Sequence, residues 1–94
     1  MDLSQNNKRI HLIKNDKNII TIYIESSDQT LNCKIRCNSS DKFNEIVNKI
    51  LEKKPEFTEK IGYFLCNGDK INEYKSLKDN GIEDGNDILL TITD

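Results

Sequence analysis

Three cysteines and a single histidine are the side chains of this sequence best suited to catalysis or metal binding: Cys33, Cys37, Cys66 and His11. Cys33 and Cys37 are four residues apart in a segment that alternates like a strand, which would separate their Cα atoms by about 13 Å. A disulfide bond allows no more than about 7 Å. No CxxC spacing is present, and His11 lies in a polar leader. We therefore expect three reduced cysteines in or beside the core, with neither a catalytic pair nor a metal site.

Two polar loops resemble ligand-binding motifs but lack essential parts of them. Glu83, Asp84 and Asp87 suggest a calcium loop, yet the EF-hand spacing with its terminal glutamate is missing. Residues 67–70 (NGDK) contain a single glycine, whereas a phosphate-binding loop needs more glycines and a following helix. We interpret both loops as turns, and we expect no catalytic residue, no cofactor and no enzymatic activity.

Length and composition restrict the class of protein. A chain of 94 residues forms about one small domain, and 35% hydrophobic with 32% charged residues is typical of a soluble globular protein. The net charge of −2 leaves no basic excess to neutralise phosphates, so we expect no nucleic-acid partner. No apolar run approaches the roughly 18–20 residues of a membrane span, and residues 1–7 lack the apolar stretch of a secretory signal. We expect an intracellular protein of the cytoplasm or nucleus, without membrane contact.

Hydrophobic periodicity divides the chain into a leader and a domain. Residues 1–17 are predicted to be a polar leader, either flexible or bound to a partner, and residues 18–94 to be the folded domain. Two runs with a period of two predict an antiparallel hairpin around the polar turn at residues 26–29. The inward-facing positions are Ile20, Ile22 and Ile24 in the first strand and Leu31, Cys33, Ile35 and Cys37 in the second.

The period then changes to that of an amphipathic helix. The apolar stripe at i, i+3, i+4, i+7 and i+8 comprises Phe43, Ile46, Val47, Ile50 and Leu51. Residues 38–40 supply candidate N-caps, Asp41 favours the positive helix end, and Pro55 prevents simple continuation.

Shorter elements follow the helix. Residues 63–66 are predicted to be a third strand, the Asn-Gly turn at 67–68 leads to a very short strand at 69–71, and Ser76 caps one helical turn that Gly81 ends. A last strand places Ile88, Leu90 and Ile92 on one face.

These elements predict an α+β domain in which a mixed sheet of four to five strands packs on one amphipathic helix. If the last strand pairs beside the first, the sheet is a β-grasp. Periodicity establishes the order of elements along the chain but not the order of strands in the sheet.

Residues 19–92 resemble the ubiquitin family, and the second half carries the resemblance best. Residues 64–71 (FLCNGDKI) are similar to the family's apolar strand, Asn-Gly turn and following Ile. Residues 76–82 (SLKDNGI) are similar to its Ser/Thr-Leu-x-Asp-x-x-Ile turn, and the acidic loop at 83–88 is similar to the SUMO branch. The resemblance implies a ubiquitin-like β-grasp fold.

The end of the sequence departs from that family. Its modifiers act through a C-terminal Gly-Gly pair, whereas this sequence ends Ile92-Thr93-Asp94. We therefore expect a module that is not conjugated to other proteins. A further hypothesis, the third after the two given below, is a SUMO-like modifier fragment that lacks its processed tail. It requires residues beyond Asp94.

The resemblance implies two partner-binding surfaces. The family's sheet face corresponds to Tyr63, Leu65, Leu89 and Thr91. In SUMO-like domains a peptide adds a strand beside the second strand, and that groove corresponds to Lys34, Ile35, Arg36 and Phe43. Isolated exposed apolar side chains are also normal on protein surfaces. An ordinary surface that binds no partner is therefore an equal alternative for the sheet face.

The leader contains a short apolar motif at residues 10–13 (IHLI), which resembles the peptides that such grooves accept. It is either a docking motif, part of a disordered leader, or a strand packed on the domain.

Our first functional prediction is a non-conjugating ubiquitin-like protein–protein interaction module, an adaptor or scaffold that is monomeric when isolated. The alternative is an accessory structural subunit of a large multiprotein assembly, with an ordered leader and a larger exposed apolar face. Both require a protein partner, whose identity the sequence does not give.

Overall fold

The computed structural model of the chain describes residues 18–93, so the leader, its apolar motif and His11 lie outside the described residues. The elements are β1 (Ile19–Ser26), β2 (Asn32–Asn38), α1 (Phe43–Lys53), a short 3₁₀ helix (Pro55–Phe57), β3 (Ile61–Cys66), β4 (Asp69–Lys70) and β5 (Asp87–Ile92). The five strands and α1 agree in order and type with the periodicity of the sequence, whereas the 3₁₀ helix was not predicted. None of the helices within residues 18–93 has the length and apolar character needed to cross a membrane.

The five strands form one mixed sheet in the order β2-β1-β5-β3-β4. The first and last strands lie side by side and parallel, and the remaining neighbours are antiparallel. The predicted pairing of the last strand beside the first is therefore confirmed, and the α+β fold is a ubiquitin-like β-grasp.

The core lies between the inner face of the sheet and α1. Phe43 at the start of α1 and Phe64 in β3 are both fully buried, and their rings meet edge to face at a centroid distance of 4.9 Å. Fully burying a large apolar side chain contributes about 1.5–3 kcal/mol. The other largest fully buried apolar side chains are Ile22, Ile24, Ile46, Leu77, Ile88 and Leu90.

The helix begins later than the candidate caps at residues 38–40. Its N-cap is Lys42, which cannot accept a hydrogen bond through its side chain. Carbonyl groups of the loop before Ser76 take that role: the Phe43 N–H donates to Lys75 O at 3.0 Å, and the Asn44 N–H donates to Glu73 O at 2.9 Å. The side-chain cap prediction was wrong because a tertiary contact satisfies these N–H groups instead.

The segment after β4 is a series of turns, whereas the sequence predicted one helical turn. The Ser76 hydroxyl accepts the Asp79 N–H at 2.9 Å, and Gly81 has a φ of 75°, as predicted for a cap and a stop. The Asn80 amide group donates to Asn72 O and Ser76 O, both at 2.9 Å, and its oxygen accepts the Asn72 N–H at 2.8 Å. These bonds fix the loop whose carbonyls complete the helix start.

Candidate partner-binding surfaces

The outer face of the sheet carries all four residues predicted for the sheet surface. Leu65 on β3 lies directly opposite Leu89 on β5, which is 39% exposed, and Tyr63 is 43% exposed. Their neighbours Phe64 and Leu90 are fully buried on the inner face. The alternation of strand side chains therefore places Tyr63, Leu65, Leu89 and Thr91 together, on the side away from α1.

Thr91 has a structural role within this face. The pairing of β3 with β5 shifts register between Ile61 and Phe64. At the shift, the Thr91 hydroxyl accepts the Tyr63 N–H at 2.8 Å and donates to Tyr63 O at 2.9 Å. The hydroxyl replaces ladder bonds that the irregular pairing cannot form, so it is already engaged within the domain.

Gly62 permits the close approach of the two strands at that point. A Cβ atom on Gly62 would lie 2.7 Å from Thr91 Oγ1 and 2.9 Å from the Thr91 backbone oxygen. A larger residue there would push β3 away from β5 and displace the two adjacent positions of the outer face.

The Tyr63 ring is partly shielded by a lysine. Lys70 Nζ lies 5.2 Å from the ring centroid, within the range of a cation–π interaction. Lys70 also pairs with Leu65 across β3 and β4. Tyr63 and Lys70 therefore form one edge of the outer face, while Leu65 and Leu89 lie nearer its centre.

Tyr23 on β1 also belongs to this face, although it is not among the residues predicted from the sequence. It is 42% exposed, and Tyr23, Leu65 and Leu89 line a shallow cavity of 520 Å³. We call these three residues the sheet patch. Their outward direction follows from the alternation with Ile22 and Ile24, but their proximity depends on the pairing of β1 with β5, which the sequence did not establish.

A second surface lies at the free edge of β2, which ends the sheet. The Ser26 N–H donates to Leu31 O at 2.9 Å, and the Ser39 N–H donates to Asn18 O at 2.8 Å, which marks bonded pairs at both ends of the hairpin. In an antiparallel ladder, every second residue of a strand forms backbone hydrogen bonds with the neighbouring strand. Since Leu31 and Ser39 are bonded to β1 or its flanking residues, the backbone N–H and C=O groups of Asn32, Lys34 and Arg36 are directed away from β1.

The edge borders a groove of 480 Å³ between β2 and α1. Its lining includes Leu31, Cys33, Ile35 and Ile50 together with the charged residues Lys34, Arg36, Lys49, Glu52, Lys53 and Lys54. Lys34, Ile35 and Arg36 thus lie where the sequence predicted. Phe43 does not, because it is the first residue of α1 and is fully buried against Phe64.

The three cysteines are free thiols. Cys37 and Cys66 are buried, and Cys33 is half-buried beside the groove. Burial raises the pKa of each thiol; Asp41 adds to the effect at Cys37, whereas Lys53 and Lys54 oppose it at Cys33. These thiols are held in the protonated, weakly nucleophilic form near neutral pH. Within residues 18–93, no cluster of three or more His, Cys, Asp or Glu side chains is arranged to hold a metal ion.

The acidic loop before β5 joins β5 to β1. The Asp84 carboxylate accepts the Thr21 N–H at 2.7 Å, and the Gly85 N–H donates to Thr21 O at 2.7 Å. The Asn86 side chain accepts the Glu83 N–H at 2.8 Å, and Gly85 adopts a φ of 85°. The loop is a hydrogen-bonded turn, as its sequence predicted.

Comparison with known proteins supports the fold. No family model and no curated protein matches the sequence. Among solved structures, the chain is similar to a de novo designed protein based on ubiquitin, with 16% identity, a TM-score of 0.67, and coverage of 80% of this chain and 89% of the other. It is also similar to ubiquitin of Caldiarchaeum subterraneum, with 14% identity, a TM-score of 0.66, and coverage of 81% of this chain and 95% of the other. Because the sequence identities are this low, the structural similarity establishes a ubiquitin-like fold and nothing more specific.

Proposed function

We propose that this chain is a protein–protein interaction module, an adaptor or scaffold, that binds a partner through the sheet patch. The proposal is supported chiefly by one observation: three adjacent strands, β1, β5 and β3, each contribute a large apolar side chain to the same outward face. The inner face of the same sheet is already covered by α1, so these side chains contribute little to the core. Large apolar and aromatic side chains that lie together on a rigid sheet are suited to act as binding anchors.

Leu65 is the position of the sheet patch where a substitution should affect binding most. A few central residues usually carry most of the energy of an interface, and truncating such a residue costs more than 1 kcal/mol. Leu65 lies between Leu89 and Lys70 in the cross-strand row and is the most central position. A charge at Leu65 would have to be desolvated in the complex, so we expect Leu65→Asp to weaken binding at least about 10-fold.

Affinity purification of the full-length protein from its own cells tests the proposal. The wild-type protein is compared with Leu65→Asp and with Tyr74→Asp, which makes a similar change at an exposed apolar side chain outside the sheet patch. A stoichiometric partner retained by Tyr74→Asp and lost with Leu65→Asp supports the proposal, provided that thermal melts show both variants folded. A large assembly retained by Leu65→Asp would contradict it and favour the accessory-subunit reading. Attachment of the protein to others through a covalent bond would favour a modifier.

The β2 edge supports a second binding function, the addition of an extended peptide as a sixth strand. Outward backbone groups at Asn32, Lys34 and Arg36 supply hydrogen bonds, and the groove beside them accepts alternate side chains. Five basic residues and a single acidic residue line the groove, so an acidic peptide is favoured.

Amide chemical shifts report on this second function directly. An extended Ile/Val-rich peptide with flanking aspartates is titrated into the protein, and a peptide with lysines in place of the aspartates is the control. Saturable shifts at Lys34 and Arg36 with the acidic peptide alone are expected. Equal shifts with both peptides would show that the charges do not select the ligand, and no shift with either would refute strand addition.

A further inference from the structure

Two leucines of the sheet patch belong to a row of side chains that runs across the outer face. Each residue of the row is the register partner of the next: Glu25 on β1, Leu89 on β5, Leu65 on β3 and Lys70 on β4. The strand neighbours of Glu25 are buried, so its own side chain is directed outward. Lys70 is directed the same way, because its Nζ lies over the Tyr63 ring. The row therefore has an apolar centre, a carboxylate at one end and an ammonium group at the other.

The two charges of this row are equally far from its centre and opposite in sign. Neighbouring strands are about 4.8 Å apart, so Glu25 and Lys70 each lie about 7 Å from the midpoint between the leucines. A two-fold axis through this midpoint, parallel to the strands, turns a second copy of the chain over onto the first. It places Glu25 of each copy opposite Lys70 of the other, and Leu89 opposite Leu65. Such an interface uses the same surface on both copies, as two-fold symmetry requires.

The adjacent row contains two more charged residues and consists of Lys34, Tyr23 and Asp87. Lys34 on β2 lies about 12 Å from the axis, whereas β4, the last strand of the facing copy, lies only about 7 Å from it. Lys34 therefore stays at the solvated rim, where interfaces are usually polar. Tyr23 meets the turn at residues 67–68 of the other copy, where the space beside Gly68 is open.

Asp87 opposes this association. Because β5 is next to the axis, Asp87 of one copy approaches Asp87 of the other across two sheets that are about 10 Å apart. Three large apolar side chains per copy also make a small interface, at the low end of the size range of specific contacts. We therefore expect the association to be weak and the chain to be monomeric when dilute.

The β2 edge is less suited to a second copy. Antiparallel pairing of two β2 strands would bring Lys34 and Arg36 of one copy beside the same residues of the other. Like charges that lie opposite each other across strands are unfavourable, and charged edge strands resist pairing of this kind. On the sheet patch, in contrast, both ends of the charged row meet the opposite charge.

We propose that two copies of this chain associate through the sheet patch about this axis, with Glu25 and Lys70 forming two identical ion pairs on either side of the leucines. Self-association rests on the proposed function, since it uses the same patch as a binding surface. A different partner protein then competes with the second copy, so its apparent affinity falls with the fraction of molecules whose patch is free.

A concentration series of the full chain, from about 0.02 to about 2 mM, covers the range of weak association. We expect the amide chemical shifts of Glu25, Leu65, Lys70 and Leu89 to follow one saturable curve. The average mass in sedimentation equilibrium should rise from that of one chain toward that of two, and Leu65→Asp should abolish both changes. Shifts and mass that stay constant over this range, or shifts confined to β2, would overturn the proposal.

Exchanging the two charges tests the axis itself. Glu25→Lys and Lys70→Glu each bring like charges together, so each variant alone should associate at least about 10-fold more weakly than the wild type. An equimolar mixture of these two variants restores both ion pairs, and so does the double variant Glu25→Lys/Lys70→Glu. We expect both to associate within about 3-fold of the wild type. If the mixture and the double variant remain monomeric although thermal melts show them folded, the proposed axis is wrong.

Matched controls separate this surface from net charge. Glu56→Lys and Lys78→Glu make the same charge changes at exposed positions outside the sheet, and each should associate within about 3-fold of the wild type. Equal weakening by these controls would show that net charge governs the association and would overturn the proposal. Asp87→Asn should strengthen the association about 2-fold or more, because it removes the like-charge contact near the axis; a weaker association would contradict the proposed geometry.

The outcome for self-association is separable from that for the adaptor function. If Leu65→Asp loses a different partner protein in the purification but the wild type shows no concentration dependence, the adaptor function stands and self-association fails. If the wild type dimerises as described but Leu65→Asp retains that partner, self-association stands and the partner binds elsewhere on the domain.

Discussion

Replacing Thr91 by valine tests whether the irregular pairing of β3 and β5 depends on one hydroxyl group. Valine keeps the branched shape but removes both the acceptor for the Tyr63 N–H at 2.8 Å and the donor to Tyr63 O at 2.9 Å. A hydrogen bond contributes about 0.5–1.5 kcal/mol, so two bonds give about 1–3 kcal/mol. Water reaches this exposed position and replaces part of the loss, so we expect Thr91→Val to lower the free energy of unfolding by about 1–2 kcal/mol.

Chemical denaturation of Thr91→Val and Thr91→Ser measures this effect. Thr91→Ser is the matched control because it keeps the hydroxyl, and we expect it to stay within about 0.5 kcal/mol of the wild type. Hydrogen exchange of the Tyr63 amide should accelerate in the valine variant alone. A valine variant as stable as the serine variant, with unchanged exchange at Tyr63, would refute the structural role of Thr91. It would also return Thr91 to the residues available for direct contact with a partner.

Three further changes test the core, the patch and the first turn. Leu77→Ala should lower the free energy of unfolding by about 2–5 kcal/mol, because it leaves a cavity at a fully buried position; a denaturation midpoint shift equivalent to under 1 kcal/mol would contradict the core assignment. Leu65→Ala should cost about 1 kcal/mol or less, since Leu65 is only half-buried on the outer face, and substantial unfolding in the same assay would show that its placement is wrong. Hydrogen bonds from Thr30 and Ser26 hold the pKa of Asp28 below its ordinary value, so its carboxylate stabilises the fold above the unfolded-state pKa and loses this effect as pH falls through the folded-state pKa. Asp28→Asn should therefore be less stable than the wild type at pH 7 and equally stable in strong acid, and a pH-independent difference in melting temperature would contradict this account.

The elements of the fold were predictable because their apolar residues repeat with distinct periods. Ile20, Ile22 and Ile24 alternate and are buried in β1, and the stripe from Phe43 to Ile50 is buried on α1. Gly81 stops the turn after Ser76 through its positive φ, as its residue type indicated. Each of these features is local, so a short window of sequence contains the information that determines it.

Features that depend on distant residues were less accessible. The helix start was assigned to side-chain caps, but Lys75 and Glu73 provide the carbonyls, some thirty residues further along the chain. Phe43 was assigned to the groove from the resemblance to SUMO-like domains, but its position in the first turn of α1 turns it toward Phe64. In both cases a contact between distant segments determines the result.

The sheet patch shows how a surface arises from strand order. Tyr23 and Leu89 are far apart in sequence, and they become neighbours only because β5 inserts between β1 and β3. The same insertion brings Glu25 and Asp87 beside the apolar residues, where Lys34 and Lys70 also lie opposite Tyr23 and Leu65. The β2 groove, in contrast, is lined by five basic residues and one acidic residue, which the small net charge of −2 conceals. Since a ligand responds to the local field within about 10 Å rather than to the net charge, the apolar patch of mixed charge and the basic groove select different ligands within one small domain.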